Sequence, residues 1–365
     1  MSRVVISGYY GFDNAGDEAV LLSIIQALRN QSKSEQEPHI TVLSNNPAET
    51  CKHYNVEAVN RWKMPEVFKA IKKSSVLISG GGSLLQDVTS KRSVAYYLSI
   101  IVMALVLKKP VVFYSQGVGP VTGPINRQLM RTICNRVSQI FVRDVASKNA
   151  LIQMGVRKPS IQVVMDPVVS MNLTEEEWQS GESELAKAGI DFKRPLAGLY
   201  LRDWKTDANY HLEIAKVCEW LSEKGWLPVF VPMHYPDDVT AVRGIKPLLK
   251  CEAIFLEGHY SPQTILAMTK KMDFVVAMRL HGLIMAANAM TPYMGISYDP
   301  KIQAFATSSG FGEVVDVNGF SAKQFIAKLD AFRVGLPEHR ETLAHLKPQF
   351  QLKTMQPAAA VMGYA

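Results

Sequence analysis

The chain has 365 residues, 47% hydrophobic and 20% charged, with a formal net charge of +7. This length and composition are typical of a globular protein with two domains. The basic residues are dispersed and form no nucleic-acid-binding motif, so we expect no nucleic-acid partner. The four cysteines lack Cys-x-x-Cys spacing, and the first residues lead straight into a predicted strand. Both features favour a reduced, cytoplasmic protein without a disulfide scaffold or a zinc site.

Short apolar segments alternate with helical segments through the first half of the chain. Strands are predicted at residues 3–7, 40–43, 75–79, 110–114, 139–142 and 161–165, and helices at 17–30, 65–73, 94–108, 126–137 and 144–154. Strands separated by helices of this length pair in parallel through right-handed crossovers. The first half therefore predicts a doubly wound parallel sheet with helices on both faces.

The same alternation returns after a polar stretch at residues 172–194. Strands are predicted at residues 196–201, 226–232, 253–256, 274–277 and 293–296, and helices at 210–224, 240–249, 262–271 and 283–288. We therefore expect an α/β protein with two Rossmann-like domains, at residues 1–171 and 172–335, facing across a cleft. Residues 336–365 would form a tail that packs back on the first domain.

Glycine-rich and polar loops follow several predicted strands, where ligands of open α/β sheets bind. Glycines there allow close backbone approach, and helix N-termini favour anions. The loops at 8–18, 79–83 and 115–120 supply the candidates for ligand contact: Asp13, Asn14, Asp17, Gly80, Gly81, Gly82, Ser83, Gly117 and, shortly after the second loop, Asp87. Helix capping and tight turns remain open as alternative roles for these residues.

Cationic side chains also follow predicted strands. Arg143 comes directly after the strand at 139–142, and Arg279, His281 and Gly282 follow the strand at 274–277. An arginine at such a position can clamp a carboxylate or phosphate, and a histidine can transfer a proton. Lys301, beyond the strand at 293–296, adds a compact positive charge. Salt bridges and surface exposure remain the alternative roles, and no metal-binding pattern is present.

Taken in this order, the motifs resemble the polysaccharide pyruvyl transferase family over roughly residues 5–300. The resemblance rests on GYYGFDNAGDEA at 8–19, ISGGGSLLQD at 78–87, YSQGVGP at 114–120, FVRD at 141–144, MDP at 165–167, MRLHG at 278–282 and YDPK at 298–301. The pattern is similar to that of the bacterial enzymes that pyruvylate the wall polysaccharide anchoring surface-layer proteins.

The resemblance implies a fold similar to the GT-B glycosyltransferases, with acceptor contacts in the first domain and donor contacts at the cleft side of the second. It implies phosphoenolpyruvate as donor, no cofactor, and a 4,6-linked pyruvate ketal as product. The implied acceptor is N-acetylmannosamine on a lipid-diphosphate-linked oligosaccharide, made at the cytoplasmic face of the membrane. Peripheral contact with that membrane face is compatible with the basic charge and the apolar helix at residues 94–107.

The resemblance also implies roles for individual residues. Catalysis would fall to Arg143, His281 and Lys301, with His281 as the general acid. Arg279, Gly282, Gly117 and the segment from Gly80 to Ser83 would bind the donor. Asp13, Asn14, Asp17 and Asp87 would bind the acceptor, and the general base would be Asp13, Asp17 or Asp87.

Two other functions stay open on the sequence alone. A GT-B-type glycosyltransferase or epimerase would use a nucleotide sugar, and Glu257, after the strand at 253–256, could contact a ribose. A non-catalytic sugar- or lipid-binding scaffold is the second alternative. Such a scaffold would have no need for arginine, histidine and lysine at successive strand ends.

Overall fold

A computed structural model describes residues 2–32, 37–87, 91–203 and 208–365. The chain divides into two compact units, of which unit 1 comprises Met1–Phe12, Asp17–Asn172 and Phe350–Ala365. Unit 2 comprises Asp13–Gly16 and Leu173–Gln349. The short segment Asp13–Gly16 thus belongs by its contacts to unit 2, although the residues on both sides of it belong to unit 1.

Unit 1 contains a sheet that, within the described ranges, has eight parallel strands. The strands are β1 (Arg3–Ser7), β2 (His39–Ser44), β3 (Glu57–Asn60), β4 (Val76–Ser79), β5 (Gly82–Leu85), β6 (Val111–Val118), β7 (Gln139–Val142) and β8 (Ile161–Val163). Their order is β3-β2-β1-β4-β6-β7-β8, and β5 pairs with β6. The strand order reverses between β1 and β4, which is where ligands bind in sheets of this kind.

The helices of unit 1 connect these strands in chain order. They are α1 (Ala15–Gln31), α2 (Pro47–Tyr54), α3 (Met64–Lys73), α4 (Lys91–Val106), α5 (Pro124–Cys134) and α6 (Val145–Gln153). The central strands β4 and β6 are buried along their whole length, as expected for a sheet covered by helices on both faces: Leu77, Ile78 and Phe113 have no exposed surface. Full burial of each such side chain contributes about 1.5–3 kcal/mol to folding.

Unit 2 repeats the pattern with a sheet that has six parallel strands in the described part of the chain. They are β9 (Leu196–Tyr200), β10 (Leu227–Phe230), β11 (Ile254–Phe255), β12 (Phe274–Ala277), β13 (Tyr293–Ser297) and β14 (Glu313–Asp316). The order β11-β10-β9-β12-β13-β14 reverses between β9 and β12. This point is the second expected ligand position.

The helices of unit 2 begin with α7 (Glu175–Lys187), inside the stretch that the sequence predicted only as a polar boundary. A capping box between Thr174 and Glu177 starts it. The other helices are α8 (Ala208–Glu223), α9 (Asp237–Arg243), α10 (Pro262–Lys271), α11 (Leu280–Ala289), α12 (Pro300–Ser309), α13 (Ala322–Val334) and α14 (Leu336–Met362). The last part of α14 belongs to unit 1.

The fold class predicted from the sequence, two doubly wound parallel-sheet domains, is confirmed. Each predicted strand and helix corresponds to an observed element, but two local predictions are wrong. The helix predicted at 240–249 ends at Arg243, and a separate 3₁₀ turn, Lys246–Leu248, follows. Residues 79–83 were predicted as a loop after β4, whereas Gly82–Leu85 forms β5.

None of the helices in the described ranges has both the length and the apolar character needed to cross a membrane.

Candidate active site

Side chains that are or can become cationic follow the ends of three neighbouring strands of unit 2. Arg202 follows β9, Arg279 and His281 follow β12, and Lys301 follows β13. The strand ends are adjacent because the backbone amide of Met278 donates a hydrogen bond to the carbonyl of Tyr200 over 2.9 Å. All of these residues lie at the carboxyl edge of the sheet, next to the reversal point between β9 and β12.

The imidazole of His281 lies in the first turn of α11, directly against the backbone of Gly16. A β-carbon at position 16 would be 2.2 Å from Nδ1 of His281 and 2.7 Å from Cγ. Only glycine leaves space for the ring at this position. The glycine of the NAG sequence in the first loop therefore determines where the imidazole can lie.

The segment Asp13–Gly16 is held in place by backbone pairing within unit 2. Asn14 forms an antiparallel bridge with His234, and the amide of Ala15 donates to the carbonyl of Met233 over 2.9 Å. The Asn14 side chain accepts a hydrogen bond from the amide of Gly16 over 3.1 Å. Asp13, which the sequence predicted as an acceptor contact, has its Oδ1 3.6 Å from Nε2 of His259. These contacts fix the backbone on which the His281 ring rests.

Arg279 forms an ion pair with the buried carboxylate of Asp238. Its Nε donates to Oδ2 over 3.1 Å, and a second guanidinium nitrogen donates to Oδ1. Asp238 is 2% exposed and also accepts hydrogen bonds from the amides of Met233 and His234. The salt-bridge role left open by the sequence is therefore present, and it fixes the orientation of Arg279 through two parallel bonds.

Arg202 and Lys301 both approach the ring of Tyr298. The Arg202 guanidinium carbon is 4.5 Å from the ring centroid, and Nζ of Lys301 is 5.6 Å from it. Lys301 also lies 3.2 Å from a carboxylate oxygen of Asp299, which caps α12. Cation–π contacts of this kind align a cation without neutralising it. Arg202 was missed in the sequence, although it follows a strand end as the other candidate cations do.

Gly282 has a packing role in the same turn. A β-carbon there would lie 3.1 Å from the β-carbons of Ala277 and Tyr200. The glycine lets α11 begin close to the ends of β9 and β12, which brings Arg279 and His281 to the edge of the sheet.

Arg143 lies in unit 1 within a buried polar network. Its guanidinium donates to Oγ of Ser83 over 2.8 Å and lies 3.4 Å from Asp144 and 3.7 Å from Asp166. Burial raises the pKa of Asp166, while the neighbouring Arg143 charge and a backbone amide oppose that rise. Gly117 leaves space for the guanidinium, since a β-carbon there would be 2.7 Å from it. The network holds the arginine in one orientation.

The glycines after β4 serve close packing in unit 1. A β-carbon on Gly80 would be 2.2 Å from the hydroxyl of Tyr10, and one on Gly81 would be 2.7 Å from Val20. The amide of Gly80 donates to the carbonyl of Ser7, so that amide already has a partner within the sheet. Gly82 adopts a positive φ of 85°, and a β-carbon there would be 2.9 Å from Oδ1 of Asp17. Sheet pairing of β5 with β6 overrides the turn tendency of these glycines.

Asp87 holds the loop that precedes α5. Its carboxylate accepts hydrogen bonds from the amides of Thr122 and Gly123, each 2.9 Å at the shortest, and from Nδ2 of Asn126. Desolvation raises the pKa of this carboxyl, but the hydrogen bonds outweigh it and lower the pKa to about 2. Both oxygens are thus engaged by the protein itself, and an acceptor role for Asp87 stays a prediction.

The two units hold different subsets of the predicted site residues. Unit 2 brings together Asp13, Asn14, Arg279, His281, Gly282 and Lys301, while unit 1 contains Asp17, Gly80, Gly81, Gly82, Ser83, Asp87, Gly117 and Arg143. Four residues that lie beside the predicted site residues in unit 2 were not predicted from the sequence: Arg202, His234, Asp238 and His259. Within the described residues, no group of histidine, cysteine and carboxylate side chains is arranged to hold a metal ion.

The fold is similar to that of several solved structures, two of which contain a nucleotide sugar. HepE from Anabaena in complex with UDP-glucose has a TM-score of 0.66 at 11% identity, covering 100% of this chain and 99% of that chain. The UDP-GlcNAc 2-epimerase of Neisseria meningitidis, bound to UDP-GlcNAc, has a TM-score of 0.67 at 13% identity, with 100% of each chain covered. The 2-epimerase of Methanocaldococcus jannaschii has a TM-score of 0.63 at 17% identity, covering 90% and 92%. Identities this low show the fold alone.

A comparison with curated protein sequences found no match. The family model "Polysaccharide pyruvyl transferase", however, matches residues 14–300. The matched range includes Asn14, Arg143, Arg279 and His281, and ends one residue before Lys301. Because this range is well over half of the chain, the protein belongs to the polysaccharide pyruvyl transferase family and is a transferase.

Proposed function

We propose that this transferase moves a pyruvyl group from phosphoenolpyruvate to a sugar, forming a 4,6-linked ketal and releasing phosphate. The observation that supports the donor is the set of cations Arg202, Arg279 and Lys301, which follow three neighbouring strand ends of unit 2, one of which His281 also follows. Phosphoenolpyruvate is a compact polyanion, and its binding requires several positive charges within a small volume.

The arrangement supports a division of roles among these residues. Arg279 is oriented by Asp238 and suits the planar carboxylate of the donor, because a fixed guanidinium binds carboxylates in bidentate fashion. Arg202 and Lys301 suit the phosphate because both are held at the ring of Tyr298, although Lys301 also shares its charge with the carboxylate of Asp299. His281 is the candidate general acid, and Gly16 limits the positions that its ring can take.

The proposed reaction begins with proton transfer from His281 to the methylene carbon of the enol, which becomes a methyl group. A sugar hydroxyl attacks the central carbon and loses its proton to a base, giving a tetrahedral intermediate that still carries phosphate. The carbon–oxygen bond to phosphate then breaks, and the leaving group takes both electrons. A second hydroxyl of the same sugar attacks and loses its proton, which closes the ketal. Asp13 and Asp17 remain the candidates for the base; Asp87 is less suited because its oxygens hold the loop before α5.

Arg143 lies in unit 1 and is not one of the cations at the strand ends of unit 2. Its guanidinium is buried against Ser83, Asp144 and Asp166, and an assisting role in phosphate departure rests on the motif match alone. A change from Arg143 to lysine would keep the charge but lose the planar geometry that this network requires.

The proposed acceptor is N-acetylmannosamine on a lipid-diphosphate-linked precursor of a cell-wall polysaccharide, of the kind that anchors surface-layer proteins. This part of the proposal rests on the similarity of the motifs to the wall-polysaccharide branch of the family. With such an acceptor, the pyruvyl transfer would take place at the cytoplasmic face of the membrane, and the protein would make peripheral contact with the lipid surface that carries the acceptor.

A nucleotide-sugar reaction is the competing proposal, since two of the similar folds described above were solved with UDP-sugars. Glu257, which the sequence singled out as a ribose contact, is an exposed side chain 3.9 Å from Lys246. This geometry adds no support for a ribose-binding role. The cationic strand ends favour phosphoenolpyruvate instead.

Thermal denaturation with added ligands separates the two proposals. A ligand at 100 times its Kd raises the free energy of unfolding by about 2.7 kcal/mol. We expect phosphoenolpyruvate to raise the melting temperature of the wild type and to have much less effect on Lys301→Ala. UDP-glucose and UDP-GlcNAc should have no comparable effect. Stabilisation by the UDP-sugars and none by phosphoenolpyruvate would favour the competing reaction.

A further inference from the structure

A group of aromatic side chains lies at the carboxyl edge of the unit 1 sheet. Tyr9 and Phe12 follow β1, Trp62 follows β3, and Tyr96 projects from α4. We call these residues the aromatic platform. Because β3, β2 and β1 are adjacent and parallel, their carboxyl ends lie at one edge, where ligands of such sheets bind. The reaction proposed above uses none of these residues.

The guanidinium of Arg61 lies beneath the platform and fixes its rings. Its central carbon is 4.4 Å from the ring centroid of Tyr96, 5.1 Å from that of Trp62 and 5.2 Å from that of Phe12. Arg61 is 3% exposed and donates to the carbonyl of Gly8 over 2.9 Å. In the described part of the chain no carboxylate forms an ion pair with it, so the ring faces, the Gly8 carbonyl and the Tyr97 hydroxyl stabilise its charge.

Trp62 is held rigidly although it faces solvent. Its side chain is 58% exposed, yet its indole N–H donates to Oδ1 of Asn45 over 3.0 Å. The side-chain Nδ2 of Asn45 donates in turn to the carbonyl of Gly11 over 3.3 Å. The ring of Tyr96 packs 5.2 Å from the indole, and its hydroxyl donates to the carbonyl of Arg61. Exposing an indole to water is unfavourable, and binding a ligand on it would remove that cost. Because the ring is already held in one orientation, binding would not require it to be ordered first, which indicates a ligand-binding surface.

We propose that the aromatic platform binds a pyranose ring of the saccharide acceptor, with the apolar C–H face of the sugar stacked on the indole of Trp62. A pyranose has flat apolar faces and a rim of hydroxyls, which matches a fixed ring bordered by the side-chain oxygens of Asn45 and Asn60. The proposal rests on the polysaccharide acceptor of the proposed function. It adds the location at which unit 1 would recognise the sugar.

Alternative occupants fit this surface less well. A free phosphate or another small anion would need accessible cationic groups, and Arg61 is enclosed by the rings. An acyl chain would favour a continuous aliphatic groove, whereas the platform consists of aromatic rings with hydrogen-bonding edges.

The test is saturation-transfer NMR with the disaccharide N-acetylmannosaminyl–N-acetylglucosamine as probe, without phosphoenolpyruvate. We would compare the wild type with Trp62→Ala and Trp62→Phe, and with Phe68→Ala as a matched control. Phe68 is an aromatic residue of α3 that is 42% exposed and makes none of the ring contacts described for the platform. Thermal denaturation would verify that each variant is folded.

We expect transfer to the sugar C–H protons in the wild type and in Phe68→Ala, with Kd about tenfold higher in Trp62→Ala. A tenfold change corresponds to about 1.4 kcal/mol of binding free energy. Trp62→Phe should bind with intermediate affinity because it keeps a ring. Equal binding by all four proteins, or no binding by the wild type, would overturn the proposal.

Turnover measurements distinguish failure of this inference from failure of the proposed reaction. If Trp62→Ala loses sugar binding while the wild type releases no phosphate from phosphoenolpyruvate, the platform stands and the reaction does not. If both hold, Trp62→Ala should raise KM for the acceptor and leave KM for phosphoenolpyruvate unchanged.

Discussion

The substitution Gly16→Ala tests whether the position of His281 controls catalysis. The new β-carbon would lie 2.2 Å from Nδ1 of His281, whereas ordinary van der Waals contact begins at 3.4 Å. The ring or the backbone must therefore shift by about 1.2 Å, the difference between these distances. Displacements of about 1 Å at a reacting group can lower turnover about 10²-fold. We expect a loss of that size in acceptor-dependent phosphate release at saturating substrates.

Stability should change little in the same variant. Gly16 lies in the first turn of α1 with no positive φ, so alanine is compatible with its backbone. Replacing glycine by alanine in a helix favours folding by about 0.5–1 kcal/mol, which opposes the effect of the local displacement. Denaturant unfolding should therefore give a free energy within about 1 kcal/mol of the wild type.

Two controls make the interpretation specific. Gly335 also lies beside a histidine, but its β-carbon would be 3.1 Å from the flexible end of His339, so Gly335→Ala should keep full turnover. In the background of His281→Ala, adding Gly16→Ala should cause no further loss, because effects on one group do not add. Near-normal turnover in folded Gly16→Ala would refute the reasoning, and an additive loss would show that the effect acts elsewhere.

Three further substitutions test the other contacts. Asp87→Asn should lower the free energy of unfolding at pH 7 by about 1.5–3 kcal/mol, because it removes charge-assisted hydrogen bonds. The folded pKa of Asp87 is about 2 and its ordinary value is 3.8, so the difference in free energy of unfolding between wild type and variant should be complete above about pH 4 and should fade as the pH falls toward 2. A difference that stays constant across this pH range in denaturation experiments would contradict the prediction. Asp238→Asn should lower the free energy of unfolding by about 3 kcal/mol, because it breaks the buried ion pair with Arg279. The control Glu257→Gln changes an exposed carboxylate and should lower it by less than about 1 kcal/mol; equal losses in the two variants would refute a stabilising role for the buried pair. Lys301→Ala should raise KM for phosphoenolpyruvate about tenfold or more in steady-state assays, and an unchanged KM would exclude phosphate contact.

The strands were predictable because burial leaves a direct mark on their composition. Arg3–Ser7 and Phe274–Ala277 coincide with their predicted bounds, since both are short apolar segments between polar loops. β3 was not predicted because Glu57–Asn60 lies at the edge of the sheet and is only partly buried. The start of β5 was predicted as a ligand-contacting loop, with a tight turn as the alternative, because its glycine suits a loop and only its pairing with β6 makes it a strand.

Most of the site contacts that were not predicted join residues that are far apart in the sequence. Asp238 and Arg279 are 41 residues apart, and no local pattern links them. Asp13 and His259 meet only because the first loop joins unit 2. Arg202 is different, because its place after β9 follows the rule that identified Arg143 and Arg279. Applying that rule to every strand end would have found it.

The most direct test of the central claim is phosphorus NMR of the purified protein with phosphoenolpyruvate and the lipid-diphosphate-linked N-acetylmannosamine–N-acetylglucosamine acceptor. The account predicts inorganic phosphate that forms only when acceptor is present, a product heavier by one pyruvyl ketal, and turnover about 10²–10⁴-fold lower in folded His281→Ala. Phosphoenolpyruvate left intact beside this acceptor, or equal turnover by the wild type and His281→Ala, would contradict it.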